Sequence, residues 1–285
     1  MVTPRILVVT PARNEALNLP KLADSLRFQS VDLIGMWVIV DDNSDDNTLE
    51  VISSLSLPFV VATHQVKTSG RIIKGAAYYA WWSGVDFGLA QNQDFDYIMK
   101  LDADISLAHD YFENLNDGFI TETDVLGGII AGVSKEQSSY VPGPVKMYSS
   151  RALQLVRNLP IATGFDVMDE VLCSKNGLKV QVFPSAKFFL NRPIGHSQGK
   201  LHGRYRNGVV CKWTGYAPEY FLLHLIRYIF RPPYLLGSVW MLAGFLTRDP
   251  GPYSKDLLLA HRTTQRERLR FLTRHPIRGF LQLYK

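Results

Sequence analysis

The chain has 285 residues, 46% of them hydrophobic and 20% charged, with a net charge of +5. That balance excludes a disordered or low-complexity chain and leaves room for one large α/β domain, or one domain with an appendage. Two cysteines without metal-like spacing, Cys173 and Cys211, argue against a disulfide scaffold or thiolate metal site and fit a reduced, cytosolic pair.

No basic segment followed by an apolar one marks a secretory signal near Met1. Arg5–Thr10 is apolar and β-branched and reads as a buried strand. Asn18–Gln29 sets Leu19, Leu22, Leu26 and Phe28 at helical spacing. Met36–Val40 is a second strand ending at Asp41, after which Asp45 or Asp46 can cap a helix through Leu55. Phe59–Ala62, Asp96–Leu101 and Val125–Val133 read as strands, and Gly70–Ala90 and His109–Phe119 as helices. Strands parted by helices imply βαβ units and a mainly parallel sheet.

Val133–Val145 reads as a loop, Ser149–Val156 and Asp166–Lys175 as helices, and Leu178–Phe183 and Ala186–Leu190 as strands. Asn191–Gly208 is polar, basic and glycine-bearing, the composition of a flexible or ligand-ordered loop. Tyr220–Phe230 and Tyr234–Leu246 are apolar, parted by Pro232-Pro233 and flanked by Arg227, Arg231 and Arg248. Neither reaches the roughly 18–20 residues of a spanning helix. They fit helices lying in a membrane interface, with Tyr228, Tyr234 and Trp240 at headgroup level; the plain alternative is helices packed as core. Positive charge gathers after Arg192. The apolar residues mixed into that tail favour anionic lipid over nucleic acid, and no nucleic-acid partner is expected. The expected division is a catalytic domain over 1–213 and a basic amphipathic helical tail over 214–285, membrane-associating.

The motif richest in chemistry is Lys100-Leu101-Asp102-Ala103-Asp104-Ile105. Residues two apart in a strand share a side, so Asp102 and Asp104 can converge on one hard cation where a strand ends. Oxygen donors of this kind suit Mg²⁺ or Mn²⁺ shared with substrate phosphates, and the plain alternative is a solvated turn. After the first strand, Pro11, Arg13, Asn14 and Glu15 can meet a nucleotide or simply cap a helix. After the second, Asp41-Asp42-Asn43-Ser44-Asp45-Asp46 crowds carboxylates into one loop. An Asp there can accept from uracil N3–H or from guanine N1–H and its amino group. Arg71 and Lys74, in a glycine-bearing segment opening a helix, suit anions. Asp166, Asp169 and Glu170 fall on one helical face, where one can act as a general base or all can serve the helix dipole. Arg192 to Arg204, with His196, Lys200 and His202, can fold over a diphosphate or form a mobile surface loop.

Taken together, these segments resemble the family 2 glycosyltransferases of the GT-A fold. Pro11-Ala12-Arg13-Asn14-Glu15 is similar to their Pro-x-x-Asn-Glu, with Arg13 where Tyr is common, and Val40-Asp41-Asp42-Asn43-Ser44 to their Val-Asp-Asp-Gly-Ser, with Asn43 for Gly. Asp102-Ala103-Asp104 looks like their metal-binding Asp-x-Asp. Gly164-Phe165-Asp166 stands where members place the Glu-Asp of the catalytic base; Phe165 replaces the Glu, so Asp169 or Glu170 can hold the role instead. Arg192-Pro193-x-Gly195 and Gly215-Tyr216-x-Pro218 look like bacterial enzymes that build surface or extracellular polysaccharide. Some of those carry His before the Arg-Pro where this chain has Asn191, so a histidine at the metal falls to His196 or His202.

The resemblance implies an α/β, Rossmann-like, mainly parallel sheet flanked by helices, and inverting transfer from a nucleotide-diphospho-sugar, UDP first and GDP second, to a saccharide or lipid-linked acceptor. It implies Mn²⁺ or Mg²⁺ on Asp104 helped by Asp102, a base near Asp166, and Asp42 with the Pro11–Glu15 loop on the base and ribose. Arg71, Lys74, Arg192 and Lys200 meet the diphosphate. The expected location is cytoplasmic, peripheral on the inner face of the cell membrane. Two rivals stand beside it: a nucleotidyltransferase, which attacks phosphorus, and an inactive membrane-bound scaffold.

Overall fold

A computed structural model describes residues 4–68, 75–91, 94–132, 140–192 and 199–274. In chain order its elements begin β1 (Ile6–Ala12), α1 (Leu19–Arg27), β2 (Ile34–Asp42), α2 (Thr48–Ser54), β3 (Val60–Val66), α3 (Ala76–Leu89), β4 (Tyr97–Leu101), β5 (Ile105–Leu107) and α4 (Asn116–Ile120). They continue with β6 (Val125–Ile130), β7 (Val145–Ser149), α5 (Ser150–Val156), α6 (Phe165–Lys175), β8 (Val180–Leu190), α7 (Lys200–Trp213), α8 (Pro218–Ile229), α9 (Tyr234–Phe245) and α10 (Lys255–Arg274). Two compact units share them: residues 1–161 with 176–191, and residues 162–175 with 192–285.

The first unit is built on a sheet in the order β3-β2-β1-β4-β7-β6-β8-β5. Strands β3, β2, β1 and β4 run parallel, and β7 is antiparallel to β4 and β6. β1 and β2 are buried almost throughout because sheet strands covered on both faces need apolar side chains at every position. α3 lies close on this sheet at Gly84, where a Cβ would sit 2.4 Å from a Val40 methyl and 2.6 Å from a Val9 methyl. The chain leaves β1 toward β2 on one side, while β4 joins β1 on the other. Strand order therefore reverses between β1 and β4, the place where open α/β sheets hold ligands at their carboxyl ends.

The parallel βαβ core matches the sequence expectation, and several details differ. β5 and β7 were not foreseen: β5 is three residues long, and β7 carries the buried Lys146 next to a Ser/Gly/Pro-rich stretch. The two strands expected near Leu178–Leu190 are one strand, β8. Its pairing with β6 jumps from Gly127↔Val182 to Ile129↔Lys187, so Pro184 falls in the irregularity, where no ladder N–H is required. His109–Phe119 forms a single 3-10 turn at Glu113–Leu115 followed by the short α4. Residues 69–74, the expected start of α3, lie outside the described residues.

The second unit is helical. Asn191–Gly208 reads as a loop from its glycines and charges, but from Lys200 onward it is α7, and residues 193–198 lie outside the described residues. α10 packs along α6 and closes back on the α7–α8 corner through buried polar contacts. His261 Nδ1 lies 2.6 Å from the Thr214 carbonyl oxygen, Gln265 accepts from the Ala217 amide at 2.8 Å, and Arg262 donates to the Gly215 carbonyl at 3.0 Å. The Tyr253 hydroxyl donates to the Ala162 carbonyl at 3.3 Å, tying the segment before α10 to the residues before α6.

Candidate active site

The loops after β1 and β2 are stitched together. The Asn14 amide donates to Ser44 Oγ at 3.0 Å, and Asn14 Oδ1 accepts from the Asp45 amide at 2.8 Å. The Glu15 amide donates to Thr48 Oγ1 at 2.9 Å, and Glu15 Oε2 accepts from Asn18 Nδ2 at 2.7 Å. Asn14 (φ +56°) and Asn43 (φ +52°) both lie in the left-handed region, which Asn tolerates and most side chains do not. This is the physical reason that position 43 accepts Gly or Asn. Two expected nucleotide contacts, Asn14 and Glu15, thus have structural work in the loops. Pro11 is half-buried in β1, and the Arg13 guanidinium lies 3.8 Å from the Asp45 carboxylate.

Asp41 and Asp42 end β2 and differ sharply. Asp42 Oδ1 accepts from the Thr68 amide at 2.8 Å and Oδ2 from the Thr68 hydroxyl at 2.5 Å. Asp41 is 3% exposed; its Oδ2 has a long contact, 3.4 Å, from the Ser44 amide, and its Oδ1 is buried without a hydrogen-bond partner among the described residues. Such an atom costs about 1–3 kcal/mol. Asp41 lines a cavity of about 370 Å³ with Asn43, Ser44, Gln65 and Lys67.

Asp102, Ala103 and Asp104 form the short turn from β4 to β5. Leu101, Ala103 and Ile105 are buried in the core, so the two half-exposed carboxylates share the other side. The buried Lys100 ammonium pairs with Asp102 Oδ1, donates to the Gly143 carbonyl at 3.1 Å and sits 5.3 Å from the Tyr78 ring centre. The Asn191 amide donates to the Asp104 carbonyl oxygen at 2.8 Å, and its side chain bonds Ser106. Position 191, where the resemblance puts a His in some members, is therefore beside the acidic turn. β2 and β4 flank β1 in register, Ala12↔Asp41 and Val9↔Lys100. Two strand spacings, about 10 Å, separate Asp41 from the acidic turn along the same sheet edge.

Among the described residues no group of three or more His, Cys, Asp or Glu is placed to hold a metal by itself. Two hard oxygen donors on a ligand-binding sheet edge do fit a cation that completes its shell with water and phosphate oxygens.

In the second unit, Asp166 is half-exposed in the first turn of α6, while Asp169 (0% exposed) and Glu170 are buried. Asp169 Oδ1 accepts from the Glu170 amide at 2.6 Å. Burial, and then the charges of Asp166 and Asp169, push the Tyr253 phenol up. Tyr253 was missed by sequence reasoning, since it lies 87 positions beyond Asp166 with no motif around it. Thr68 and Lys100 were missed as site residues too; Thr68 was findable by asking what the end of β3 presents. Arg192 is exposed at the end of β8, and His202 is exposed on α7. Lys200 is the first residue of α7. Arg71, Lys74 and His196 lie outside the described residues.

Known proteins resemble this chain in sequence and in fold. Polyprenol monophosphomannose synthase of Mycolicibacterium smegmatis is 30% identical over 141 residues, 50% of this chain and 47% of that protein. 4,4'-diaponeurosporenoate glycosyltransferase of Staphylococcus haemolyticus is 30% identical over 109 residues, 38% of this chain and 26% of that protein. The matches span less than half the length of these curated relatives. Among solved structures, mannosyltransferase PcManGT from Pyrobaculum calidifontis in complex with GDP-Man and Mn²⁺ aligns with a TM-score of 0.53 and 18% identity, covering 100% of this chain and 85% of that one. S. aureus TarS 1-349 in complex with UDP-GlcNAc aligns with a TM-score of 0.52 and 16% identity, covering 86% and 72%. These likenesses show the GT-A fold. The family model described as Glycosyl transferase family 2 matches residues 7–168, more than half the chain and the whole stretch from β1 to the start of α6. The chain belongs to glycosyl transferase family 2.

Proposed function

We propose that the chain moves a sugar from a nucleoside-diphospho-sugar to a hydroxyl of a saccharide or lipid-linked acceptor in glycan biosynthesis, inverting the anomeric centre. The observation that carries this reading is the orphaned Oδ1 of Asp41 beside a cavity at the carboxyl ends of β2 and β3. A base N–H would satisfy that acceptor once the Asp41 carboxylate turns toward the cavity. One open acceptor suits the single N3–H of uracil, and Gln65 and Lys67 line the same cavity with donors for its carbonyl oxygens. This favours UDP over GDP. Asp41 takes the base, while Asp42 is held by Thr68 and shapes the loop.

The turn after β4 then receives the diphosphate. Asp104, helped by Asp102, would hold Mn²⁺ or Mg²⁺. When bound, such a cation offsets the negative charge building on the leaving diphosphate. Lys100 fixes the Asp102 carboxylate and balances its charge. The general base is assigned to the first-turn carboxylate of α6: Asp166 is half-exposed, as proton abstraction from an acceptor requires, and Asp169 and Glu170 are buried. Arg192 and Lys200 remain candidate diphosphate partners. The place of action is the inner face of the cell membrane, held peripherally by residues 214–285.

A product assay tests the reading. Full-length protein given a UDP- or GDP-sugar, Mn²⁺ and a lipid or saccharide acceptor should release nucleoside diphosphate. Release of pyrophosphate from a nucleoside triphosphate would instead mark nucleotidyl transfer.

A further inference from the structure

The second unit packs its hairpin of helices inside out. In α9 the buried residues are Gly237, Ser238, Met241 and Gly244, while Tyr234, Leu235, Leu236, Val239, Trp240 and Leu242 are exposed. A water-soluble helix buries the large residues and exposes small or polar ones. Here Met241 packs with Phe221 and Phe245 in a small apolar cluster, and the rest of the buried face of α9 is small residues. A Cβ on Gly208 of α7 would sit 1.9 Å from the Met241 carbonyl oxygen, and one on Gly244 would sit 2.0 Å from that of Tyr205, so the two backbones are in direct contact. Close approach through small residues is how helices associate in lipid, where large side chains gain nothing by leaving the solvent.

The outward face is correspondingly apolar. Phe230 is 74% exposed, Leu235 62% and Trp240 42%, and Leu222, Leu236 and Leu246 extend the same character along α8 and α9. Scattered exposed leucines need no explanation, but an apolar surface carried by two successive helices does. The hairpin corner is cationic. The Arg204 guanidinium stacks 3.9 Å over the Tyr228 ring and donates to the Pro232 carbonyl at 3.0 Å. Burial first, and then the charges of Arg227, Arg204 and Arg231, hold the His224 imidazole down to about 4. Among the described residues no carboxylate pairs with Arg227 or Arg231. At 12 residues, α9 is about 18 Å long, short of the roughly 30 Å hydrocarbon core, and no described helix is long and apolar enough to cross a membrane.

We propose that the α8–α9 hairpin beds into one leaflet of an anionic bilayer, its outer face among the acyl chains and Arg227 and Arg231 on lipid phosphates. This deepens the membrane half of the proposed function and draws only on the second unit. Adsorption by charge alone leaves the outer face of α9 in water; embedding removes it.

Trp240 reports the difference, because Trp37, Trp81, Trp82 and Trp213 are buried. Full-length protein is mixed with phosphatidylcholine vesicles, with and without phosphatidylglycerol, whose acyl chains are brominated. Quenching of the Trp240 emission is expected, stronger with phosphatidylglycerol and absent in Trp240→Phe. Leu235→Glu with Leu236→Glu should weaken vesicle sedimentation about a hundredfold, and Arg227→Gln with Arg231→Gln about fivefold for each charge, on anionic vesicles only. Both variants should keep the helical circular dichroism and the urea unfolding midpoint of the wild type, which shows them folded. Vesicle binding without quenching would overturn embedding and leave peripheral adsorption. No vesicle binding by the wild type would overturn the membrane reading itself, and lipid-free dimers that bury Trp240 would assign the face to a second copy. Neither result bears on sugar transfer, which the product assay decides.

Discussion

Replacing Asp41 by Val separates a ligand-binding carboxylate from a structural one by sign. Asp41 lies 3% exposed at the end of β2 with Oδ1 unpartnered and only a 3.4 Å contact on Oδ2. Val has a similar shape and suits a strand. Removing an orphaned buried acceptor returns about 1 kcal/mol or more to the free protein, against little lost at Ser44. The nucleotide loses a hydrogen bond to a charged group, about 1.5–3 kcal/mol, or roughly a 10- to 150-fold weaker affinity. Stability should therefore rise while binding falls, as measured by urea unfolding and by calorimetric titration with UDP. Asp42→Val serves as the contrast. It leaves both the Thr68 amide and hydroxyl without an acceptor and should destabilise the first unit by about 3 kcal/mol. The reasoning fails if Asp41→Val unfolds more easily than wild type and binds UDP unchanged, because Asp41 would then be a loop brace.

Other outcomes follow from the same geometry. Asp166→Asn should spare donor binding and lower turnover about a hundredfold or more, as loss of a general base does; the same loss in Asp169→Asn with Asp166→Asn active would reassign the base. Gly208→Ala should destabilise the second unit by about 1–3 kcal/mol in urea, since its Cβ meets backbone at 1.9 Å, whereas Gly203→Ala in the same helix meets nothing within 4 Å and should gain about 0.5–1 kcal/mol. His224 is held neutral when folded, its value lowered from 6.5 to about 4, so the unfolded chain binds the extra proton first. Stability contributed by this residue is intact above pH 6.5 and falls by about 3 kcal/mol as pH drops to about 4, a dependence that His224→Phe should flatten in urea melts taken across that range.

Much of this was legible in the chain. β1, β2 and β4 announce themselves because strands covered on both faces must be apolar at every position. The loops that follow β2 and β4 carry the Asp41–Asp46 run and the Asp102/Asp104 pair. Alternation in Leu101-Asp102-Ala103-Asp104-Ile105 correctly set both carboxylates on one side. What escaped depends on partners distant in sequence. Which of Asp41 and Asp42 is left open is decided by Thr68, which lies 26 residues after Asp42. Lys100 reads as a strand residue until its ammonium is seen on Asp102. α7 was hidden by Gly199, Gly203 and Gly208, because glycine signals a loop locally, and only Gly208 is explained by the helix it crosses. The tail reads as an appendage in sequence, yet α10 packs on α6, so cutting the chain after Tyr216 would also remove the helix that packs on α6. Point substitutions on α8 and α9 are the cleaner probe.

The most direct measurement is a calorimetric titration of Mn²⁺ into the full-length protein with and without UDP, repeated on Asp104→Asn. A cation shared between two carboxylates and a diphosphate should bind weakly alone, at least tenfold more tightly with UDP, and lose that gain in the variant, about 1.4 kcal/mol per tenfold. Mn²⁺ binding that ignores UDP, or that survives intact in Asp104→Asn, would contradict a metal-assisted sugar transferase centred on the turn after β4.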